Sequence, residues 1–175
     1  VNLLNPLSAD LNGMRQTLLF GGLECAAYNA NRQNKDLKLY EFGNCYFFKG
    51  TEKQHNPVSN YREEEHLGLF ITGAKSAESW EEEQKPSSFF QLKSIAENLL
   101  KRFGFNLEQL QISGTENDLF AEGLNYQKNN KTVLETGIVS KKIQSKFEIN
   151  NPVYYADFYF DAVIDHQKKH SVSFE

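Results

Sequence analysis

The chain has 175 residues, of which 39% are hydrophobic and 13% aromatic, enough to bury one sizeable core and too few for two, so a single domain over residues 1–175 is expected. Its 19 Lys and Arg against 23 Asp and Glu give a formal charge of −4 with no basic block, which excludes tight independent binding to a row of phosphates. The longest apolar stretch, Val153 to Phe160, is broken by Asp157 and falls far short of a bilayer span, and Val1-Asn2-Leu3-Leu4 carries no charged n-region, so a soluble, cytoplasmic chain is expected.

Asn5-Pro6-Leu7-Ser8 is turn-like, after which Leu19, Leu23, Ala26, Ala27 and Ala30 fall at helical spacing and predict an amphipathic helix over Arg15 to Arg32. Gly21-Gly22 weakens that helix unless something packs closely there. Leu37 to Phe42 and Cys45 to Phe48 read as strands meeting at Gly43-Asn44, and the polar stretch Gly50 to Glu65, with Pro57, reads as a loop. His66 to Thr72 returns to strand with Leu67, Leu69 and Ile71 on one face. An acidic patch, Glu81-Glu82-Glu83, follows Trp80 and ends at Pro86.

The strongest helix signal comes next. Ser88-Phe89-Phe90-Gln91 fits a capping box, apolar residues recur at Leu92, Ile95, Ala96, Leu99, Leu100 and Phe103, and Gly104 suits the position just past the end. Leu110 to Ser113 suggests a strand, and Leu124 to Gln127 and Thr132 to Val139 bracket a hairpin turn at Asn129-Asn130. Ser140 to Phe147 reads as a short helix capped by Ser140. A last strand places Tyr154, Ala156, Phe158 and Phe160 on one face and Tyr155, Asp157 and Tyr159 on the other. Hairpin-linked strands with few long helices predict an α+β architecture, an antiparallel sheet flanked by helices.

Few residues invite chemistry. Cys25 and Cys45 match neither a disulfide framework nor a zinc spacing, and two reduced, buried thiols are expected. His166 and His170 stand four residues apart, a spacing zinc can use on a helix, but Lys168 and Lys169 between them repel a cation, so a solvated connection is expected and no metal site is assigned. His55 and His66 lack partners at fitting spacing and read as surface or core residues. Glu63-Glu64-Glu65 reads as a solvated run, and Lys141, Lys142 and Lys146 as surface charge. No glycine-rich phosphate loop is present.

One set of motifs goes further. Asn5-Pro6-Leu7-Ser8, Met14-Arg15, Tyr28-Asn29-x-Asn31-Arg32-Gln33 and Leu39-Tyr40-Glu41-Phe42-Gly43, in that order and spacing, resemble the opening of the class II synthetase-like module of bacterial phenylalanyl-tRNA synthetase beta subunits. The likeness continues through Trp80, Phe90-Gln91-Leu92-Lys93, Gly137-Ile138-Val139 and the last aromatic strand. The chain departs from the family at Phe20-Gly21, where Pro-Gly is common, and at Ala121-Glu122-Gly123, where a His-Pro-Gly stretch is common. The resemblance implies a class II aminoacyl-tRNA synthetase-like fold and a fragment of a longer beta subunit.

The resemblance also implies function. Class II enzymes hold ATP with an arginine at the end of a motif 2 strand, where its guanidinium meets the charge developing at the α-phosphate. In the comparable run, Tyr40 to Phe48, that position holds Phe47, which has no donor for a phosphate. No catalytic residue and no cofactor is expected in this fragment, with ATP and magnesium belonging to the holoenzyme. The helix resembling motif 1 offers Arg15, Leu18, Leu19, Leu23, Asn29 and Arg32 as an interface toward an alpha subunit in an (αβ)2 heterotetramer, with tRNA reached through the holoenzyme and no membrane partner. The alternative is a module that binds a small ligand or tRNA in the relic of the class II cleft. That alternative asks whether the cleft is open and polar or filled by Phe47, Phe48 and Tyr126.

Overall fold

The computed structural model describes residues 13–50, 57–76, 84–115 and 117–169. Helix α1 (Leu19–Ala30) precedes two long strands, β1 (Leu37–Phe48) and β2 (Tyr61–Thr72). Helix α2 (Phe89–Arg102) leads to β3 (Gln111–Gly114), β4 (Phe120–Lys128) and β5 (Lys131–Val139); α3 (Lys141–Lys146), β6 (Val153–Tyr159) and α4 (Phe160–Lys169) complete the chain. The strands form one antiparallel sheet in the order β1-β2-β6-β5-β4-β3. This is the α+β arrangement expected from the hairpin pattern.

Two apolar clusters sandwich the sheet. On one face, Leu92, Ala96 and Leu100 of α2 lie fully buried against Leu67, Ile71, Tyr126, Leu134, Ala156 and Phe158, with Val163 of α4 beside them. Burying each leucine contributes on the order of 2 kcal/mol. On the other face, Leu19, Leu23 and Ala26 of α1 meet Phe70, Phe120, Val139, Val153 and Tyr155, with Ile143 and Phe147 of α3 at the rim. Period-two alternation therefore sends Leu67, Leu69 and Ile71 to the α2 face and His66 and Phe70 to the α1 face.

The caps and turns follow their residues. Ser88 Oγ accepts the amide of Gln91 at 3.3 Å, Gly104 takes φ +87° past the end of α2, and Asn129 and Asn130 take φ +51° and +62°, the pair a type I′ hairpin turn needs.

Several local expectations are revised. Helix α1 is shorter than Arg15 to Arg32, because Arg15 is committed to β1: its carbonyl accepts the amide of Tyr46 at 2.8 Å. Strand β1 runs unbroken through Gly43-Asn44. A side chain at Gly43 would enter space held by the Arg15 guanidinium, 1.9 Å from Nη2, so the glycine serves a close approach and not a turn.

The expected loop at Gly50 to Glu65 holds a 3-10 turn at Pro57–Asn60 and then the first half of β2, with 51–56 outside the described residues. Residues 61–65 pair with β1 alone, since β6 joins β2 only from His66 onward, and a two-stranded ribbon wet on both sides leaves no apolar alternation to read. Phe160 opens α4 instead of ending β6. The segment expected as a solvated connection is that helix, with His166 buried against the Phe105 ring, 4.1 Å between centroids, and its Nε2 3.1 Å from the carbonyl oxygen of Gly104. Ser140 precedes α3 without a side-chain cap. Instead Gln144 ties α3 down, donating to Val139 O at 2.7 Å and accepting the amide of Val153 at 3.1 Å. Trp80, Glu81-Glu82-Glu83 and His170 lie outside the described residues, as do Asn5-Pro6-Leu7-Ser8.

Candidate functional site

Helix α1 and α3 cover only part of their sheet face; the ends of β2 and β6 and the middle of β5, β4 and β3 carry polar side chains on the same side. Register and alternation put them there. Cys45 and Phe47 of β1 stand opposite Glu64 and Arg62 of β2, His66 opposite Tyr159 of β6, and Asp157 opposite Glu135 of β5, which in turn faces Asn125 of β4.

These residues form one network. His66 is 2% exposed; its Nδ1 lies 2.7 Å from Asp157 Oδ1, and its Nε2 lies 3.5 Å from Glu64 Oε2. Burial alone would lower the His66 pKa, but the hydrogen bonds and charges of Asp157 and Glu64 outweigh it and hold the imidazole above its ordinary value. Glu64 Oε1 receives Arg62 Nε at 2.7 Å, and the Arg62 guanidinium sits over the Phe47 ring, 5.1 Å from its centroid. Glu135 accepts Tyr159 OH at 3.2 Å and Asn117 Nδ2 at 3.3 Å; desolvation and the neighbouring Asp157 charge raise its pKa against those two bonds.

Phe47 therefore stands on the polar face, and its place is not a hydrophobic pocket. Tyr126 lies on the opposite face, fully buried in the α2 cluster with its hydroxyl on Glu97 at 2.8 Å. Phe48 packs on Tyr61, 5.3 Å between centroids, and alternation turns it to that opposite face as well. Neither fills the cleft. Beside Glu135 the face opens into a cavity of about 640 Å³ lined by Ser113, Thr115, Asn117, Asn125 and Gln127. A second recess of about 400 Å³, where β6 ends, is lined by Arg62 and Lys131 together with Glu64, Glu65, Asp161 and Asp165. Four carboxylates against two cations make it acidic. Among the described residues no group of three His, Cys, Asp or Glu side chains is arranged to hold a metal ion.

The motif 1-like residues divide. Leu18, Leu19 and Leu23 are at most 1% exposed and belong to this chain's own packing. The outward stripe of α1 carries Phe20 and Tyr28, 44% and 58% exposed, with Glu24 between them. Arg32 continues that stripe, its guanidinium 3.4 Å from the Tyr28 ring centroid and its Nη1 donating to Tyr28 O at 3.1 Å. Asn29 donates back to Cys25 O at 2.8 Å. Arg15 is a strap across β1, bonding Asn44 O at 2.8 Å and Glu41 at 2.5 Å.

The expectation of two buried thiols fails for Cys25, which is exposed on α1, and holds for Cys45, whose thiol burial and the Asp157 charge push up to about 12. The residues that the sequence reading passed over are His66, Asp157, Glu64 and Glu135. One signal was present: a charged residue at 157 inside an apolar strand demands a buried partner.

A family model described as the phenylalanyl tRNA synthetase beta chain CLM domain matches residues 1–160. The chain is 52% identical over 159 residues to the phenylalanine–tRNA ligase beta subunit of Bacteroides thetaiotaomicron, covering 90% of this chain and 19% of that protein. It is 37% identical over 174 residues to the same subunit of Porphyromonas gingivalis, covering 98% of this chain and 21% of that protein. The chain thus spans about a fifth of the length of these relatives. A solved pyrrolysyl tRNA synthetase of Desulfitobacterium hafniense superposes with a TM-score of 0.65 at 16% identity, over 94% of this chain and 53% of that one. A likeness at that identity speaks for the class II synthetase fold alone.

Proposed function

The chain belongs to the CLM-domain family of phenylalanyl-tRNA synthetase beta chains, and from that premise we propose that it is a non-catalytic module that holds the alpha subunit of a phenylalanine–tRNA ligase. The observation that carries this reading is the surroundings of Phe47. Motif 2 chemistry needs a free guanidinium at a phosphate, whereas here an aromatic ring occupies that position and the nearest guanidinium, Arg62, is already bonded to Glu64. A second cation of this face, His66, is likewise held by Asp157, so neither is free to receive a triphosphate. ATP and magnesium chemistry, on this reading, resides in the alpha subunit, and tRNA is met by the assembled (αβ)2 enzyme in the cytoplasm.

The side of the fold turned to the partner is the exposed stripe of α1. Tyr28 with the Arg32 guanidinium, and the side of Phe20 turned away from its stack on Phe147, offer apolar and stacking area, and Gly21 lets a neighbouring helix approach. Two assays test the proposal. In pyrophosphate exchange the chain by itself produces no phenylalanine-dependent turnover, and co-expressed with the alpha subunit it co-purifies. Turnover by the chain alone, or failure to associate, overturns the reading.

A further inference from the structure

We propose that the cavity beside Glu135 is a binding site for an organic cation, an ammonium or guanidinium group seated on that carboxylate. This goes beyond the assembly role and does not rest on it.

The cavity, about 640 Å³, has the volume of a small-molecule site, and its lining is polar: Ser113, Thr115, Asn117, Asn125, Gln127 and Glu135. Among the described residues, the donors at hydrogen-bonding distance of Glu135 are neutral, the Tyr159 hydroxyl and the Asn117 amide. A carboxylate accepts on about four lone-pair sites, so two such bonds leave it capacity. Among the described residues, the cationic side chains over this face are engaged elsewhere, Arg62 with Glu64, His66 with Asp157 and Arg15 with Glu41. Directly across the β4–β5 ladder from Glu135, the side-chain oxygen of Asn125 is buried and has no hydrogen-bond partner. A partly buried carboxylate whose neighbouring cation, His66, is hydrogen-bonded to Asp157, and an unpartnered acceptor one strand away, both lining one cavity, favour a donor that carries positive charge and several N–H groups.

The cation has two possible sources, a free polyamine-like molecule or a lysine or arginine of a neighbouring polypeptide. Agmatine, which carries one ammonium and one guanidinium, serves as the probe. Titrated into the ¹⁵N-labelled protein, it produces saturable shifts of the Asn117, Asn125 and Gln127 side-chain amides with a dissociation constant near about 1 mM, and Glu135→Gln weakens binding at least about tenfold. The thermal midpoint of Glu135→Gln, unchanged or raised, shows that the variant is folded.

Repeating the titration with the alpha subunit bound separates the sources. A free amine leaves the shifts intact in the complex; a side chain from the partner abolishes them, and Glu135→Gln then weakens the complex. No saturable shift up to about 50 mM, equal affinity in Glu135→Gln, or displacement of agmatine by magnesium–ATP at those same amides overturns the proposal.

Discussion

The ring of Phe70 lies directly against the backbone of helix α1 at Gly22: a methyl group added there would stand 2.1 Å from its Cζ. The neighbouring Gly21 faces outward, with nothing nearer such a methyl than Glu41 Oε2 at 3.8 Å. The two glycines therefore have opposite roles. Gly22→Ala forces the ring or the helix to shift and destabilises the fold by about 1–3 kcal/mol. Gly21→Ala gains helix propensity and stabilises by up to about 1 kcal/mol. Urea unfolding of the two variants checks the pair, and equal effects would contradict the packing described.

Substitutions on α1 separate core from interface. Leu23→Ala, at a fully buried position, costs about 2–5 kcal/mol of stability. Tyr28→Glu, at an exposed position, leaves unfolding stability within about 0.5 kcal/mol while reducing co-purification with the alpha subunit at least tenfold; Phe20→Glu reduces co-purification likewise but also loses its stack on Phe147, at a cost of about 1 kcal/mol. Undiminished co-purification of both exposed variants would move the contact to another face.

Phe47→Arg does not confer ATP binding. The new guanidinium would stand opposite Arg62, a like charge, and would compete with it for Glu64 before it met a phosphate. Isothermal titration with magnesium–ATP shows no heat of binding in either the parent or the variant; measurable binding by Phe47→Arg alone would mean that one residue separates this cleft from a nucleotide site.

Stability declines through His66 as pH rises above the ordinary histidine value of 6.5. Its folded pKa lies above the ordinary 6.5 because Asp157 and Glu64 outweigh burial, so the ion pair contributes fully below that ordinary value. As pH rises through the raised folded value, the contribution is lost at up to about 1.4 kcal/mol per pH unit for one proton. Denaturant melts at stepped pH from 6.5 upward show this slope, and His66→Gln removes it. The same slope in the variant would assign it to another group.

What the sequence carried by itself was local and periodic. The cap at Ser88, the stop at Gly104, the Asn129-Asn130 turn and the alternation of Leu67, Leu69 and Ile71 are each set by neighbours within a few residues, so backbone preference and hydrophobic period suffice to read them. The island motifs pointed to the family for the same reason, since they lie along one stretch of chain. Tertiary structure alone decided which groups meet across the sheet. His66 and Asp157 are 91 residues apart, and a one-residue change of register between β2 and β6 would have put them on opposite faces. It also decided that Leu19 and Leu23 belong to the core while Phe20 and Tyr28 face out, because an amphipathic helix shows which side is apolar but not what covers it. The polar cleft arises from strands distant in sequence that long-range pairing places side by side, and no local pattern records that pairing.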